Sequence, residues 1–172
     1  MPKTVIATER LILRSALPQD FEPLFSRIFG DARVTKYLGG EPLGREKART
    51  FFDDAFDHEG TGRKIGVLVT RSDHAVVGYA GLKLFDALGD EDYEIGFVLE
   101  SAVWGRGYAT EIGRAQLEYG FRTTGRPRLV AQVRPANTAS AQALRKIGMT
   151  FLKEYERPGL GTWDIYVRQR RA

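Results

Sequence analysis

Apolar residues recur along this chain with two different periods, and the change between them separates predicted helices from predicted strands. Near the start, Leu11 and Leu13 alternate with arginines, as in a strand. Apolar residues then recur three and four positions apart, as on one face of a helix. From position 64 the period returns to two. The predicted strands cover residues 10–14, 64–70, 75–85, 93–99, 129–133, 149–157 and 163–168, and the predicted helices begin at Pro18, Asp31, Arg45, Ala109 and Asn137.

The order of these elements predicts an α/β fold. We expect a mixed, mostly antiparallel sheet of about six to seven strands with helices packed against it. In the middle of the chain, a strand, the helix that begins at Ala109 and the next strand form a strand–helix–strand crossover. No repeat or Pro/Gly/Ser-rich linker divides the sequence, so residues 1–172 are predicted to form a single domain.

Composition narrows the classes of function. Hydrophobic residues make up 42% of the chain and charged residues 28%, as in ordinary folded proteins. No stretch approaches the roughly 18 apolar residues of a membrane span, and no secretory signal is apparent, so we expect a cytoplasmic protein. The absence of cysteine excludes disulfides, thiolate nucleophiles and cysteine-bound zinc. His58 and His74 fit no ligand spacing, so no metal site is predicted.

The balance of charge is basic. Lysine and arginine number 26 against 22 acidic residues, a net charge of +4, and the excess lies in the second half of the chain. A polyanionic ligand would suit this bias, and nucleic acid is one candidate. A solvated basic surface is the other interpretation.

The segment from Trp104 to Thr110 carries the strongest chemical signal. It joins a predicted strand to a predicted helix, and Gly105 and Gly107 let the backbone approach a ligand closely. The free N–H groups of the first helical turn point to the same place, which predicts a site for a pyrophosphate. No lysine followed by serine or threonine completes a P-loop, and position 110 is threonine where a dinucleotide fingerprint needs glycine. A purely structural turn remains the alternative.

A second polar segment follows the strand predicted over 129–133. Asn137 and Ser140 are three residues apart, so they share one face of a helix at its first turn. In a crossover fold this turn lies near the glycine loop. Asn137 is also a good helix cap, which is the alternative interpretation of this residue.

These motifs together resemble the GNAT N-acetyltransferases, and more narrowly the branch that acetylates the N-termini of ribosomal proteins, the Rim type. The resemblance spans about residues 8–168. The sequence departs from the superfamily at two positions: Trp104 stands where many members have glutamine or arginine, and Leu144 stands where many have tyrosine. The matching segments are TERLILR at 8–14, VVGYAGL at 76–82, YEIGFVLE at 93–100, WGRGYATE at 104–111 and NTASAQALRKIGM at 137–149.

The resemblance implies acetyl-CoA as the cosubstrate, a polyanion that accounts for the basic charge without nucleic acid. The strand 97–99 would pair with the pantetheine amides, and the residues 137 and 140 would contact the pantetheine arm. Arg145 or Lys146 would face the nucleotide phosphates, or else form a solvated helix face. The implied cofactor-binding residues are Phe97, Val98, Leu99, Gly105, Arg106, Gly107, Tyr108, Ala109, Thr110, Asn137, Ser140, Arg145 and Lys146.

The implied reaction is direct attack of a neutral amine on the thioester in a ternary complex. An α-amine has a pKa near ~8 and a lysine near ~10.4, so most acceptor is protonated at neutral pH and a carboxylate is needed to take the proton. Glu94 is the first candidate for this base, and Glu154, matched to the Rim branch, is the second. The alternative interpretation of either residue is a solvent-exposed glutamate at the edge of a strand, with no catalytic role. With Leu144 in the tyrosine position, the Ser140 hydroxyl is the candidate to stabilise the leaving thiolate.

The acceptor is the least determined part. The acidic residues 90–92 precede Glu94 and would attract cationic amines if they line the mouth of its pocket, or form a solvated loop. We expect a protein or peptide N-terminal α-amine. A polyamine, an aminoglycoside or another small amine is the alternative acceptor, and a non-catalytic CoA-binding or RNA-binding module is the alternative function. No membrane partner is expected, and the sequence leaves a homodimer open.

Overall fold

The computed structural model describes all 172 residues and contains one sheet of eight strands. The strands are β1 (Thr4–Ala7), β2 (Leu11–Arg14), β3 (Ile65–Thr70), β4 (Val76–Phe85), β5 (Asp92–Leu99), β6 (Arg128–Val133), β7 (Thr150–Arg157) and β8 (Gly161–Gln169). Their order across the sheet is β1-β2-β3-β4-β5-β6-β8-β7. Every neighbouring pair is antiparallel except β5 and β6, which are parallel.

The helices are α1 (Phe21–Leu24), α2 (Ala32–Thr35), α3 (Arg45–Ala55), α4 (Tyr108–Thr124) and α5 (Thr138–Lys146). A 3₁₀ turn at Pro18–Asp20 precedes α1, and a π-helical turn at Phe25–Phe29 follows it. No helix has both the length and the hydropathy required to cross a membrane.

The α/β fold and the central crossover are confirmed, with β5, α4 and β6 as the crossover. The strand count is higher than expected because β1 escaped the sequence analysis. This strand has four residues, and Ile6 is its only buried one, so it shows no alternating pattern. It forms the edge of the sheet beside β2.

The two faces of the sheet have separate cores. Along β5, side chains point alternately to opposite faces. Ile95 packs against Leu117 of α4 and Leu144 of α5. Val98 packs instead against the aromatic cluster of the first helical segment and α3, which includes Phe29 and Phe52. We call the first the helix-pair face and the second the aromatic face.

The sheet is forked between β5 and β6. β4 and β5 pair over eight positions, from Gly78 with Leu99 to Phe85 with Asp92. β5 and β6 pair at one position only, Glu94 with Val130. Beyond that point, toward the carboxyl ends of both strands, the backbones diverge. The fork opens next to the N-terminus of α4, which is where crossover folds bind ligands.

Candidate active site

The N-terminus of α4 presents a row of free backbone N–H groups. From Gly105 to Thr110, no N–H group donates a hydrogen bond within the protein, and the first to do so is that of Glu111, to the Gly107 carbonyl at 3.0 Å. Gly105 and Gly107 have φ values of 77° and 81°, a left-handed conformation that favours glycine. With the positive end of the helix dipole behind it, this loop suits a pyrophosphate.

A polar clasp that the sequence analysis missed fastens this loop to the β1–β2 turn. The Glu111 carboxylate accepts hydrogen bonds from the Thr8 hydroxyl at 2.6 Å and from Arg10 Nε at 2.7 Å. The Arg10 guanidinium also donates to the Arg106 carbonyl at 2.8 Å. Burial alone would raise the pKa of Glu111, but these hydrogen bonds outweigh burial and hold its pKa below the ordinary value.

The free edge of β5 lies in the fork. The Glu100 N–H donates to the Val77 carbonyl on the β4 side. Because backbone groups alternate in an antiparallel ladder, those of Phe97 and Leu99 point toward the fork, while Val98 faces its partner Tyr79 on β4. The Leu99 carbonyl is taken by the Trp104 indole N–H at 3.0 Å. The fork therefore exposes unpaired backbone groups to which the amides of an extended ligand can bind.

Gln116 lies behind the fork and was also missed by the sequence analysis. Its side-chain amide, buried in the helix-pair face, donates to the Gly81 carbonyl at 2.9 Å and to the Gly96 carbonyl at 2.8 Å. It thus ties α4 to two neighbouring strands. The available signal was its position four residues after Ile112, on the apolar stripe of the helix.

The start of α5 contributes two of the predicted residues. Asn137 is the helix cap, as its alternative interpretation has it, and its side-chain oxygen accepts from the Ser140 N–H at 3.2 Å. The Ser140 hydroxyl makes no hydrogen bond within the protein and is partly exposed. Leu144, in the tyrosine position, is buried in the core.

A basic cleft of about 620 Å³ runs beside α4, beyond its first turns. Of the two predicted phosphate contacts, Lys146 lines this cleft, while the Arg145 guanidinium donates to the Tyr166 hydroxyl at 2.9 Å. Glu118 is the one acidic residue of the lining, and none of the basic residues there is ion-paired. Those basic residues are Arg114, Lys146, Arg168, Arg170 and Arg171.

Glu94 lies at the point of the fork. It is the only residue of β5 in register with β6, and it is 8% exposed. By alternation its side chain lies on the aromatic face, where Lys83 Nζ is 3.6 Å from Oε2. That oxygen is buried and accepts no hydrogen bond. Glu94 is therefore a buried carboxylate with free acceptor capacity beside the free backbone edge.

Glu154, the second candidate base, has different surroundings. It is an exposed residue on β7, the edge strand opposite to β1. Two strands, β6 and β8, separate β7 from β5, which is about 14 Å at the usual spacing. The partner of Glu154 in the ladder is Asp164 of β8, two residues before Tyr166, whose side chain packs in the helix-pair face. Glu94 and Glu154 thus lie on opposite faces.

The acidic residues before β5 are held by arginines. Asp92 is buried and accepts from the Arg128 guanidinium at 2.8 and 2.9 Å. Asp90 is 3.5 Å from the same guanidinium, and Glu91 pairs with Arg126. The expected acidic mouth is therefore a network of ion pairs that joins the start of β5 to the start of β6.

Comparisons with known proteins identify the family of the chain. The chain resembles an uncharacterized N-acetyltransferase, YnaD, of Bacillus subtilis, with 29% identity over 164 residues that cover 94% of this chain and 93% of that protein. A GNAT-family acetyltransferase structure from Bacillus anthracis matches with a TM-score of 0.78 and 29% identity, over 97% and 96% of the two chains.

A further similarity concerns the fold alone. RimL, a ribosomal-protein α-N-acetyltransferase solved in complex with coenzyme A, matches with a TM-score of 0.74 and 15% identity, over 97% of this chain and 98% of that one. The model of the GNAT acetyltransferase domain matches residues 10–150. The chain therefore belongs to the GNAT family and is an N-acetyltransferase.

Proposed function

We propose that this enzyme transfers the acetyl group of acetyl-CoA to the α-amine of a protein or peptide N-terminus, as the Rim-type branch does. The observation that carries the proposal is the fork, where six free N–H groups, a free strand edge and one buried carboxylate meet. When bound, acetyl-CoA supplies the thioester carbonyl that the amine attacks. The chain holds both reactants and moves the proton.

Acetyl-CoA fits the cofactor side of the fork. The loop from Gly105 to Thr110 binds the pyrophosphate through backbone N–H groups, and the edges of Phe97 and Leu99 bind the pantetheine amides. Lys146, in the basic cleft, is the candidate for the nucleotide phosphates. Because these contacts are made mostly by the backbone, they depend on the conformation of the loop more than on its side chains.

Glu94 is the proposed base. Its Oε2 lies at the fork and accepts no hydrogen bond, so it can take a proton from the incoming amine, directly or through one water. Lys83 lies beside it on an exposed side chain that is free to move away. Glu154 remains the alternative base; it is exposed on the edge strand, with β6 and β8 between it and β5.

Ser140 is the proposed group for the departing sulfur. Its hydroxyl has no partner in the protein, and its backbone N–H is fixed by the Asn137 cap. A hydroxyl held at the first turn of α5 can donate to a developing thiolate, a role that the buried side chain of Leu144 cannot fill.

The charges near Glu94 support a monoamine acceptor. A polyamine or aminoglycoside carries several ammonium groups and needs several free carboxylates. The three acids nearest to Glu94 along the chain are already paired with arginines, and Lys83 adds a positive charge beside it. Glu94, whose ion-pair partner is an exposed lysine, is one carboxylate for one α-amine, whose pKa is already near neutrality.

Release of free thiol from acetyl-CoA, measured with a panel of amines, tests the proposal. The panel contains peptides with a free N-terminus, the same peptides with a blocked N-terminus, spermine and an aminoglycoside. Thiol release that requires the free N-terminus supports it. Preferred acetylation of spermine or the aminoglycoside over every peptide would overturn the choice of acceptor.

A further inference from the structure

Buried polar atoms without a hydrogen-bond partner are concentrated on one face of the sheet. Native proteins satisfy nearly all such atoms, so each exception requires an explanation. Gln116, on the helix-pair face, supplies one of the six. The other five are Thr35 Oγ1, Glu94 Oε2, Gln132 Oε1, Arg134 Nε and Trp163 Nε1.

These five atoms belong to elements that meet on the aromatic face. Trp163 is two residues from Ile165 on β8, which packs with Val130 of β6 away from α4 and α5. The Arg134 guanidinium lies 4.6 Å from the centre of the Trp163 ring, and it also donates to the Leu38 carbonyl beyond α2 at 3.3 Å. The unsatisfied atoms thus lie on the face of the sheet that carries the Glu94 side chain, opposite to α4 and α5.

Four of these five atoms are sorted by type along this face. Glu94 Oε2 and Gln132 Oε1 accept hydrogen bonds, and Arg134 Nε and Trp163 Nε1 donate them. Glu94 is level with Val130. At about 3.3 Å per residue, Gln132 is about 7 Å and Arg134 about 13 Å further along β6. Acceptors therefore lie at the fork, and donors lie at the carboxyl end of the strand.

The donor end also carries net positive charge. Trp163 is 7% exposed and has the Arg134 guanidinium against its ring, with that of Arg157 at 4.8 Å from the ring centre. No acidic side chain is paired with either arginine. Two buried N–H donors in a positive environment match an anionic oxygen, above all a carboxylate.

We propose that the acceptor carries a carboxylate besides its amine, and that Trp163 Nε1 and Arg134 Nε bind this carboxylate while Glu94 faces the amine. The inference rests on the proposed function and narrows its substrate class. An acceptor that reaches both ends is extended, such as an N-terminal α-amine followed by an acidic residue. A small amino acid with a separated carboxylate presents the same chemistry.

Matched acceptors that differ only in the carboxylate test this proposal. The first pair is the tripeptide amide Ala-Glu-Ala and its isosteric counterpart Ala-Gln-Ala, and the second is the longer ω-amino acid 8-aminooctanoate and octylamine. In the wild-type enzyme the carboxylate member should have a kcat/KM at least about tenfold higher, as expected for a charged hydrogen bond. A preference in the first pair alone identifies the peptide source, and one in the second alone identifies the small amine.

Two variants test whether the preference for the carboxylate acceptors depends on the proposed donors. Trp163→Phe keeps an aromatic ring and removes only the indole donor, and Arg134→Gln removes the charge. Each should reduce the preference to less than about threefold. The control is Lys153→Gln, which removes an exposed cation of β7 whose ladder partner is Ile165, and which should keep the full preference.

Binding measured by calorimetry, without turnover, separates this proposal from the proposed function. If no amine releases thiol, the proposed function fails, yet tighter binding of Ala-Glu-Ala than Ala-Gln-Ala by the wild type, lost in Trp163→Phe, still supports the carboxylate site. Equal kcat/KM and equal binding within both pairs would overturn it. So would a preference that persists in both Trp163→Phe and Arg134→Gln proteins shown to be folded by circular dichroism.

Discussion

The two sides of the fork are built from different parts of the polypeptide. On the cofactor side, the loop before α4 and the edge of β5 offer backbone groups, and one short stretch of sequence supplies most of them. On the acceptor side, β5, β6, β8 and the segment around α2 each contribute one or two polar side chains. Binding on the cofactor side depends on the backbone conformation, and binding on the acceptor side depends on particular side chains.

The two sides therefore differ in how they respond to amino-acid substitutions. A backbone site keeps its ligand as long as glycine holds the left-handed turns, whatever side chains surround it. A site made of side chains from distant elements changes its specificity with single substitutions. We therefore expect cosubstrate binding to depend on the loop and acceptor choice on the aromatic face, so variants should affect one without the other.

The largest expected effect is on the acceptor side. Glu94→Gln removes the base while it preserves size, so kcat should fall on the order of 100- to 1,000-fold, as for loss of general base catalysis. The affinity for acetyl-CoA should stay within about threefold, because the cofactor side is untouched. Steady-state kinetics of Glu154→Gln, the alternative base, provides the control. A larger loss of kcat in Glu154→Gln than in Glu94→Gln would reverse the assignment.

The matching change on the cofactor side is Gly107→Val. A branched side chain is strained at a φ of 81° and meets Arg10 at 3.3 Å from its Cβ, so the loop must change shape. Affinity for acetyl-CoA, measured by equilibrium binding, should fall about 100-fold, which corresponds to loss of several charge-assisted hydrogen bonds. Gly125→Val imposes a similar strain at the other end of α4. Equal losses of affinity in the two variants would point to general damage rather than a lost site.

A smaller effect is expected at Ser140, where the two sides meet. Ser140→Ala should lower kcat about tenfold and leave the Kd of acetyl-CoA within about threefold, because the hydroxyl acts mainly on developing charge. The Asn137 cap survives, since it uses the backbone N–H of residue 140. Parallel losses of binding and turnover would make Ser140 a contact of the pantetheine arm only.

A still smaller effect, on stability, is expected for the polar clasp that Glu111 forms with Thr8 and Arg10. Glu111→Gln weakens the hydrogen bonds from Thr8 and Arg10, so the free energy of unfolding at pH 7 should fall by about 1 kcal/mol. The pKa of Glu111 is lowered in the folded protein from an ordinary value of 4.5. Its contribution is therefore present above that pH and is lost as the pH falls through the lowered pKa.

Denaturant unfolding from pH 7 to pH 3 tests this linkage. The stability difference between wild type and Glu111→Gln should shrink at pH values below about 4. A difference that stays constant over this range would mean that the carboxylate charge contributes nothing to the clasp.

The smallest effect is expected from the acids before β5. Because Glu91 is exposed and paired with Arg126, Glu91→Gln should leave the KM of the acceptor within about twofold at low and high salt. A rise in KM at low salt that disappears at high salt would instead restore these residues as a guide for cationic acceptors.

The sequence predicted the cofactor side better than the acceptor side, for a physical reason. The glycine loop, the helix behind it and the Asn137 cap are local, and their residues are neighbours in the chain. Trp163 and Arg134 come together only because β6 lies beside β8, so no local pattern identifies them. The fork could not be predicted from a local pattern either, because it depends on where two strands distant in sequence stop pairing.

We propose that the backbone N–H groups of Gly105 to Thr110 hold the cosubstrate. The most direct test is a titration of the ¹⁵N-labelled protein with coenzyme A, followed by amide NMR. We expect the amide protons of this loop to shift more than any others, since they gain hydrogen-bond acceptors that the free protein lacks. Unchanged loop amides, with the largest shifts along the basic cleft from Arg114 to Arg171, would contradict it.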